Sequence, residues 1–155
     1  MTQENKDLLL KDLCARLPYK PIVQIDDCGI WNLQGVDHDD SAELRDRVIV
    51  WHEENYSSSK SSFPIIDCKP YLFPLSSMTE EQEKEIQEIV GNPDNACIIG
   101  KTDGLELWLN FVDTDPTIWL DTIFEVQDYL NKNHFDYRNL IDKGLAIDAT
   151  GLNIY

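Results

Sequence analysis

Lys69-Pro-Tyr-Leu-Phe-Pro-Leu-Ser-Ser-Met-Thr-Glu-Glu-Gln82 is where the chain changes character. Pro70 and Pro74 each lack a backbone donor, and each pushes the residue before it out of helical geometry. Residues 69–75 therefore read as extended, with Tyr71, Leu72 and Phe73 too apolar to be left in water. A helix start follows at once. Thr79 is its N-cap, Gln82 closes a capping box, and Glu80, Glu81 and Glu83 sit beside the positive helix end. Strand-like sequence lies before this stretch and helix-rich sequence after it.

Toward the N-terminus, residues 7–17 predict a helix whose apolar stripe is Leu10, Leu13, Cys14 and Leu17, with Lys11, Asp12 and Arg16 off that line. Pro18 ends it. Residues 19–26 read as a strand carrying Ile22, Val23 and Ile25. After the turn Asp27-Cys-Gly29 comes a second strand, 30–36, where Trp31 and Leu33 alternate with Asn32 and Gln34. A charged loop leads to a third strand at 47–53, with Ile49 and Trp51 on one face and Val48 and Val50 on the other. The Ser-rich run 56–62 reads as a hairpin tip, and 63–68 as a fourth strand. A helix followed by four short strands predicts a small twisted antiparallel sheet or an SH3-like partial barrel.

Toward the C-terminus, the helix at 80–90 has Ile86, Ile89 and Val90 as its apolar residues and Gly91 and Pro93 as its stop. Residues 96–100 read as a strand and Thr102-Asp-Gly104 as a hairpin turn. Leu105, Leu107, Leu109 and Phe111 then alternate with Glu106, Trp108 and Asn110. Asp115 and Pro116 start a second helix, whose stripe Trp119, Ile123, Val126 and Leu130 is expected to face that alternating strand. A short helix around 135–141, ended by Gly144, and a last strand at 145–148 complete a helix–hairpin–helix lobe. The chain reads as a single α+β domain over residues 1–155, with sub-lobes at 1–75 and 76–155.

Composition narrows the function. With 42% hydrophobic residues, four Trp and six Tyr, the 155-residue chain has ample material for a core. Its 29 acidic against 13 basic residues give a net charge of −16, which repels phosphate backbones and anionic lipid. Lys and Arg are scattered singly, so direct nucleic-acid binding is disfavoured. The polar, acidic N-terminus does not resemble a secretory signal, and no run of ~18 apolar residues offers a membrane span. A cytoplasmic setting is expected. Cys14, Cys28, Cys68 and Cys97 form no CxxC pair and read as reduced and mostly packed. No Cys or His spacing suits zinc, so neither metal nor cofactor is expected.

Three blocks carry a family likeness: Leu8-Leu-Leu-Lys-Asp-Leu-Cys-Ala-Arg-Leu-Pro-Tyr19, the stretch 69–82, and Trp119 onward through Asn133-His-Phe-Asp-Tyr-Arg138 to the C-terminus. Together they resemble a family of small uncharacterised proteins from gut anaerobic bacteria, some borne on phages or mobile elements. The resemblance implies a cytoplasmic bacterial origin and brings no activity, cofactor or catalytic residue.

Candidate sites follow from residue chemistry. Asp37-His-Asp-Asp40 has ligand types for a divalent cation but not EF-hand spacing, and reads as a solvated loop. His134, Asp136, Tyr137 and Arg138 concentrate imidazole, carboxylate, phenol and guanidinium; on a helix, His134 and Arg138 would share a face suited to acid–base work. Against this, Phe135 and Tyr137 pack and Asp136 pairs with Arg138. A catalytic cysteine needs a depressed pKa, which Asp26, Asp27 and Asp67 oppose at Cys28 and Cys68. Trp31, Trp51 and Trp108 lie on strands and suit partner anchoring. The leading reading is a non-enzymatic protein-interaction module. A small enzyme built on residues 134–138, or an acidic mimic that occupies a nucleic-acid-binding protein, stands beside it.

Overall fold

The computed structural model describes residues 1–38, 46–54, 57–90 and 116–155, with 38, 46, 51–54, 57–60 and 116–120 described through their backbone alone. The protein is α+β, with an N-terminal helix and an open, mixed sheet. The chain divides into two units, Met1–Leu72 with Leu140–Tyr155, and Phe73–Asn139. The first boundary falls inside the two-proline stretch.

The first unit opens with α1 (Gln3–Arg16), where Thr2 as N-cap accepts a hydrogen bond from the Asn5 N–H at 3.2 Å. Its strands are β1 (Ile22–Ile25), β2 (Gly29–His38), β3 (Asp46–Glu54), β4 (Ser57–Pro64), β5 (Cys68–Leu72) and β6 (Ile147–Asp148). They stand in the order β4-β3-β2-β1-β5-β6. All neighbours are antiparallel except β5 and β6, where Tyr71 lies opposite Ile147 and Leu72 opposite Asp148. Parallel neighbours need a long crossover; here the whole second unit lies between them in sequence.

Register decides which residues meet α1. Val23 pairs with Trp31 and Pro70, Ile25 with Cys68, Leu33 with Val50, and Val36 with Val48. An irregularity between Leu33 and Gly35 inserts one residue, which returns Val36 to the same face as Leu33. On that face Val23, Ile25, Leu33, Val48, Val50 and Cys68 are buried in one cluster with Leu9 and Leu13 of α1 and with Ile65. A second cluster joins Leu72, Leu140, Leu145 and Ala146, with Leu8 against it.

Because α1 meets both clusters, its buried stripe is Leu9, Asp12, Leu13 and Arg16; of the Leu10, Leu13, Cys14, Leu17 line of the periodicity, Leu13 is buried and Leu10 and Leu17 pack partly buried against the first cluster. Cys14 is exposed. Asp12 and Arg16 are 0% exposed, and the guanidinium donates to both carboxylate oxygens, Nε to Oδ2 at 2.7 Å and Nη2 to Oδ1 at 3.1 Å. Periodicity counting sends charges outward. A bidentate pair at i, i+4 lets the two opposite charges be buried together.

The sheet differs from expectation in three further ways. The Ser-rich run is strand from Ser57 onward, because backbone pairing with β3 from Glu54–Ser57 to Arg47–Pro64 does not depend on side-chain bulk. The expected strand at 63–68 is split: β4 ends at Pro64, a 3-10 turn spans Ile65–Asp67, and β5 begins at Cys68. The six strands form an open, mixed sheet, neither wholly antiparallel nor closed into a barrel.

In the second unit, α2 (Glu80–Val90) starts with the expected capping box. The Gln82 N–H donates to Thr79 Oγ1 at 3.3 Å, and the Thr79 N–H donates to Gln82 Oε1 at 2.9 Å. α3 (Pro116–Lys132) has proline at its first position. Leu75, Met78, Ile86, Val126, Leu130 and Phe135 form the core. Of the expected α3 stripe, Val126 and Leu130 are buried, while Ile123 is 38% exposed, one turn beyond the cluster that Leu75, Met78 and Ile86 close. The Trp119 side chain and residues 91–115, which hold the expected hairpin, lie outside the described residues. No described helix is long and apolar enough to cross a membrane.

Candidate functional site

Among the described residues of the second unit, the end of α3 gathers several polar side chains. The Phe135 N–H donates to the Leu130 carbonyl at 2.9 Å and the His134 N–H to the Asn131 carbonyl at 3.2 Å, a Schellman turn. His134 holds its left-handed position at φ 57°. A residue with a Cβ there costs about 1–2 kcal/mol. Bonds on either side hold it: the Phe73 N–H donates to the His134 carbonyl at 2.9 Å, and the Asp136 N–H to the Phe73 carbonyl at 2.8 Å. The Phe73 and Phe135 rings lie 6.4 Å apart.

Residues 134–138 are thus a turn, not the expected helix, and His134 and Arg138 do not share a helical face. The helix signal there came from apolar spacing, which a Schellman turn reproduces by burying Phe135 against Leu130. His134 and Asp136 are 8% and 5% exposed. The Tyr137 hydroxyl is the hub. It accepts from Gln127 Nε2 at 3.1 Å and from Arg138 Nη2 at 2.9 Å, and donates to Asn131 Oδ1 at 3.1 Å. The Arg138 guanidinium carbon lies 4.8 Å from the Tyr137 ring centroid. One donor and two lone pairs are all a phenol has, so this hydroxyl is fully occupied. Nearby, Tyr129 donates to Glu85 at 2.8 Å, and burial, then that carboxylate, push its phenol above the usual range.

The first unit offers a different arrangement, because its sheet has one face under α1 and one turned away from it. Trp31 lies on the covered face. It is half-buried, its ring 5.9 Å from Phe63, and its indole N–H donates to the Cys28 carbonyl at 3.0 Å. Trp51 stands on the other face by register, opposite Asn32 on one side and Lys60 on the other. Ile22 pairs with the same Asn32, Ile49 is two residues from Trp51, and Ile30 lies 50% exposed beside Gln24. Trp108 lies outside the described residues.

The same register places the Arg47 position of β3, the Lys60 position of β4 and the Lys69 position of β5 on that face, together with the Asp37 and Glu53 positions. Arg47 is tied down, donating through Nε to Ser62 Oγ at 2.7 Å and through Nη2 to the Ser62 carbonyl at 2.6 Å. Sequence reasoning read the cations as scattered; it set Ile49 on one face with Trp51 but did not join Ile22 and Ile30 to them. The period-2 alternation of Ile30 and Asn32 with Trp31 and Leu33 held the signal, but using it requires knowing that α1 covers one face only.

Cys14 and Cys28 are exposed and free, so among the described residues the expectation of packed thiols holds for Cys68 alone; Cys97 lies outside them. Burial, then Asp26 and Asp67, push the Cys68 thiol up to about 12, which leaves it a poor nucleophile. Asp37 and His38 end β2, and Asp39 and Asp40 lie outside the described residues. Among the described residues no group of three or more His, Cys, Asp or Glu could hold a metal ion. Compared with family models, curated proteins and solved structures, the chain gives no match.

Proposed function

We propose that the chain is a non-enzymatic, cytoplasmic protein-interaction module that engages its partner through the outer face of the first unit's sheet. The observation that carries this reading is the asymmetry of that sheet. Its inner face is closed by α1, while its outer face keeps Ile30 half-exposed beside Asn32 and the Trp51 position. A half-exposed aliphatic residue beside amides, at a face where register also places a tryptophan position, suits an interface anchor. The polar cluster at 134–138 supports the same reading, since the Tyr137 hydroxyl is saturated and His134 and Asp136 are buried. The proposal carries with it a helix–hairpin–helix second unit, with the hairpin at 96–111, and the bacterial mobile-element origin suggested by the three sequence blocks.

The test is differential capture from a native bacterial lysate. Proteins retained by the wild-type chain and by His134→Ala should be lost with Ile30→Asp and with Trp51→Ala, each shown by circular dichroism to be folded. Retention that depends on His134 and Arg138 but not on Ile30 or Trp51, or turnover of a metabolite lost in His134→Ala, would replace the reading.

One observation favours a second reading, the acidic mimic. Glu81, Glu85 and Glu88 of α2 and Asp121, Glu125 and Asp128 of α3 are all exposed, each trio at i, i+4, i+7. The three charges of each trio stand about 5 Å apart along the helix axis, a regular row somewhat wider than the ~3.4 Å axial spacing of phosphates on one DNA strand. Under that reading the wild-type chain displaces DNA from a basic DNA-binding protein, and converting either trio to amides abolishes the displacement.

A further inference from the structure

The two edges of the six-stranded sheet are unequal. β6 is two residues long and presents almost no backbone to add to. β4 is eight residues long, paired with β3 along its whole length, and stands last in the strand order among the described residues. Long edges invite added strands, and proteins blunt them with proline, charge or cover. At the Pro64 end β4 is blunted: proline has no N–H, and the Ser62 carbonyl already accepts from Arg47. Among the described residues, 57–61, Ser-Ser-Ser-Lys-Ser, carry the remaining edge; in an antiparallel edge strand every second residue has its N–H and C=O on the side away from its neighbour.

We infer that residues 57–61 of β4 accept an extended peptide strand from the partner, with a carboxylate opposite Lys60. This rests on the interaction-module reading and names the partner's chemistry. In a chain of net charge −16, β4 contains no acidic residue and one lysine, so the residues that an incoming strand would face directly bring no carboxylate. Lys60 closes the cross-strand row Ile22–Asn32–Trp51–Lys60, so an added strand continues that row on the outer face. Opposite charges at directly facing positions stabilise a pair, and like charges destabilise it. The same lysine disfavours a second copy of this chain. A two-fold antiparallel pairing centred on residue 60 would set lysine against lysine, and two bodies of charge −16 repel. The occupant is therefore a heterologous extended segment in which an Asp or Glu is flanked by β-forming residues, a β-augmentation mode.

The test uses the whole chain, ¹⁵N-labelled, titrated with two blocked nine-residue peptides. Both alternate Thr and Val; one carries Glu at its centre and the other Lys. The Glu peptide should shift the amides of residues 57–61 saturably and slow their hydrogen exchange. The Lys peptide should bind the wild type roughly 2- to 5-fold more weakly, the size of one cross-strand charge pair. Lys60→Glu should reverse that order. Overturning results are no saturable shift with either peptide, an affinity order unchanged in Lys60→Glu, or a dimer whose β4 amides are already protected without peptide. If the peptide response fails while Ile30- and Trp51-dependent capture persists, the strand inference alone falls. If the capture fails and the peptide response stands, the outer-face reading alone falls.

Discussion

The two faces of the first unit's sheet are built from neighbouring residues of the same strands, yet they follow opposite rules. The covered face holds Val23, Ile25, Leu33, Val48 and Val50 under α1, together with a fully buried Asp12–Arg16 pair brought by the helix. The outer face holds Ile22, Ile30 and Ile49 beside amides and cations, with a tryptophan placed among them by register. A charged pair is fully buried on one side, and Ile30 is left 50% exposed on the other. Hydrophobicity alone does not sort the two faces. What sorts them is whether each group finds its partner inside this chain.

The largest effect that would break this contrast is at the buried pair. Removing one partner of a buried ion pair leaves an uncompensated charge and costs roughly 3–5 kcal/mol. Asp12→Ala should therefore unfold the first unit at a much lower denaturant midpoint. Replacing both partners together, as Asp12→Leu with Arg16→Met, should be far milder and close to wild type. A double variant as damaged as the single one would show that the pair stabilises the fold beyond compensating its own burial.

Next comes a comparison along one strand. Leu33 on the covered face and Ile30 on the outer face are three residues apart in β2. Leu33→Ala should cost ~2–5 kcal/mol, as a cavity-forming core change does. Ile30→Ala should stay within ~0.5 kcal/mol, as surface changes do. Equal losses in urea melts would mean that the outer face is a second core, and would remove the basis for an interaction surface.

Legibility in the sequence follows the same division. α2 could be read closely because its signals are local: Thr79 and Gln82 cap each other, and Ile86 alone is fully buried. α1 could not, because its orientation depends on two clusters built from residues far along the chain, including Leu72 and Leu140. The first two strands were visible at 19–26 from their β-branched residues and at 30–36 from alternation, against an observed Ile22–Ile25 and Gly29–His38, whereas face assignment at Val36 depended on the one-residue irregularity at Leu33–Gly35. The polar cluster at 134–138 was seen as chemistry, but its turn was hidden because histidine occupies a left-handed position usually given to glycine. Trp31 and Trp51 looked equivalent in sequence, and only register with β1 and β4 separates them.

Alkaline pH tests the covered face more gently. Burial, then Asp26 and Asp67, raise the Cys68 thiol from 9.0 to about 12. A group whose folded pKa is raised contributes stability that is complete below its unfolded value and is lost as pH climbs toward the folded one. The unfolded chain ionises first, so stability should fall from pH 9 upward, by up to ~1.4 kcal/mol per unit from this thiol. Cys68→Ala should flatten that slope in urea melts between pH 9 and 11. An unchanged slope would mean that the thiol is not held away from solvent.

The smallest expected effect lies at the seam between β1 and β5. The Tyr155 hydroxyl accepts from the Ile22 N–H at 3.1 Å and donates to the Tyr71 carbonyl at 2.9 Å, bridging the two strands just beyond their last direct pair, Val23–Pro70. Tyr155→Phe keeps the ring and removes both bonds, for a net loss of about 1 kcal/mol. Burial raises this phenol to about 12, against the opposing pull of the Ile22 N–H and Arg16. By the same sign argument its contribution is present below pH 10 and fades as pH rises toward 12. Tyr155→Phe should therefore melt earlier than wild type at pH 7, and the gap should narrow above pH 10. That onset lies a unit above the one set by Cys68, so the two substitutions separate the thiol from the phenol. A gap constant from pH 7 to 11 would mean that the hydroxyl stays solvated and the bridge contributes nothing to the seam.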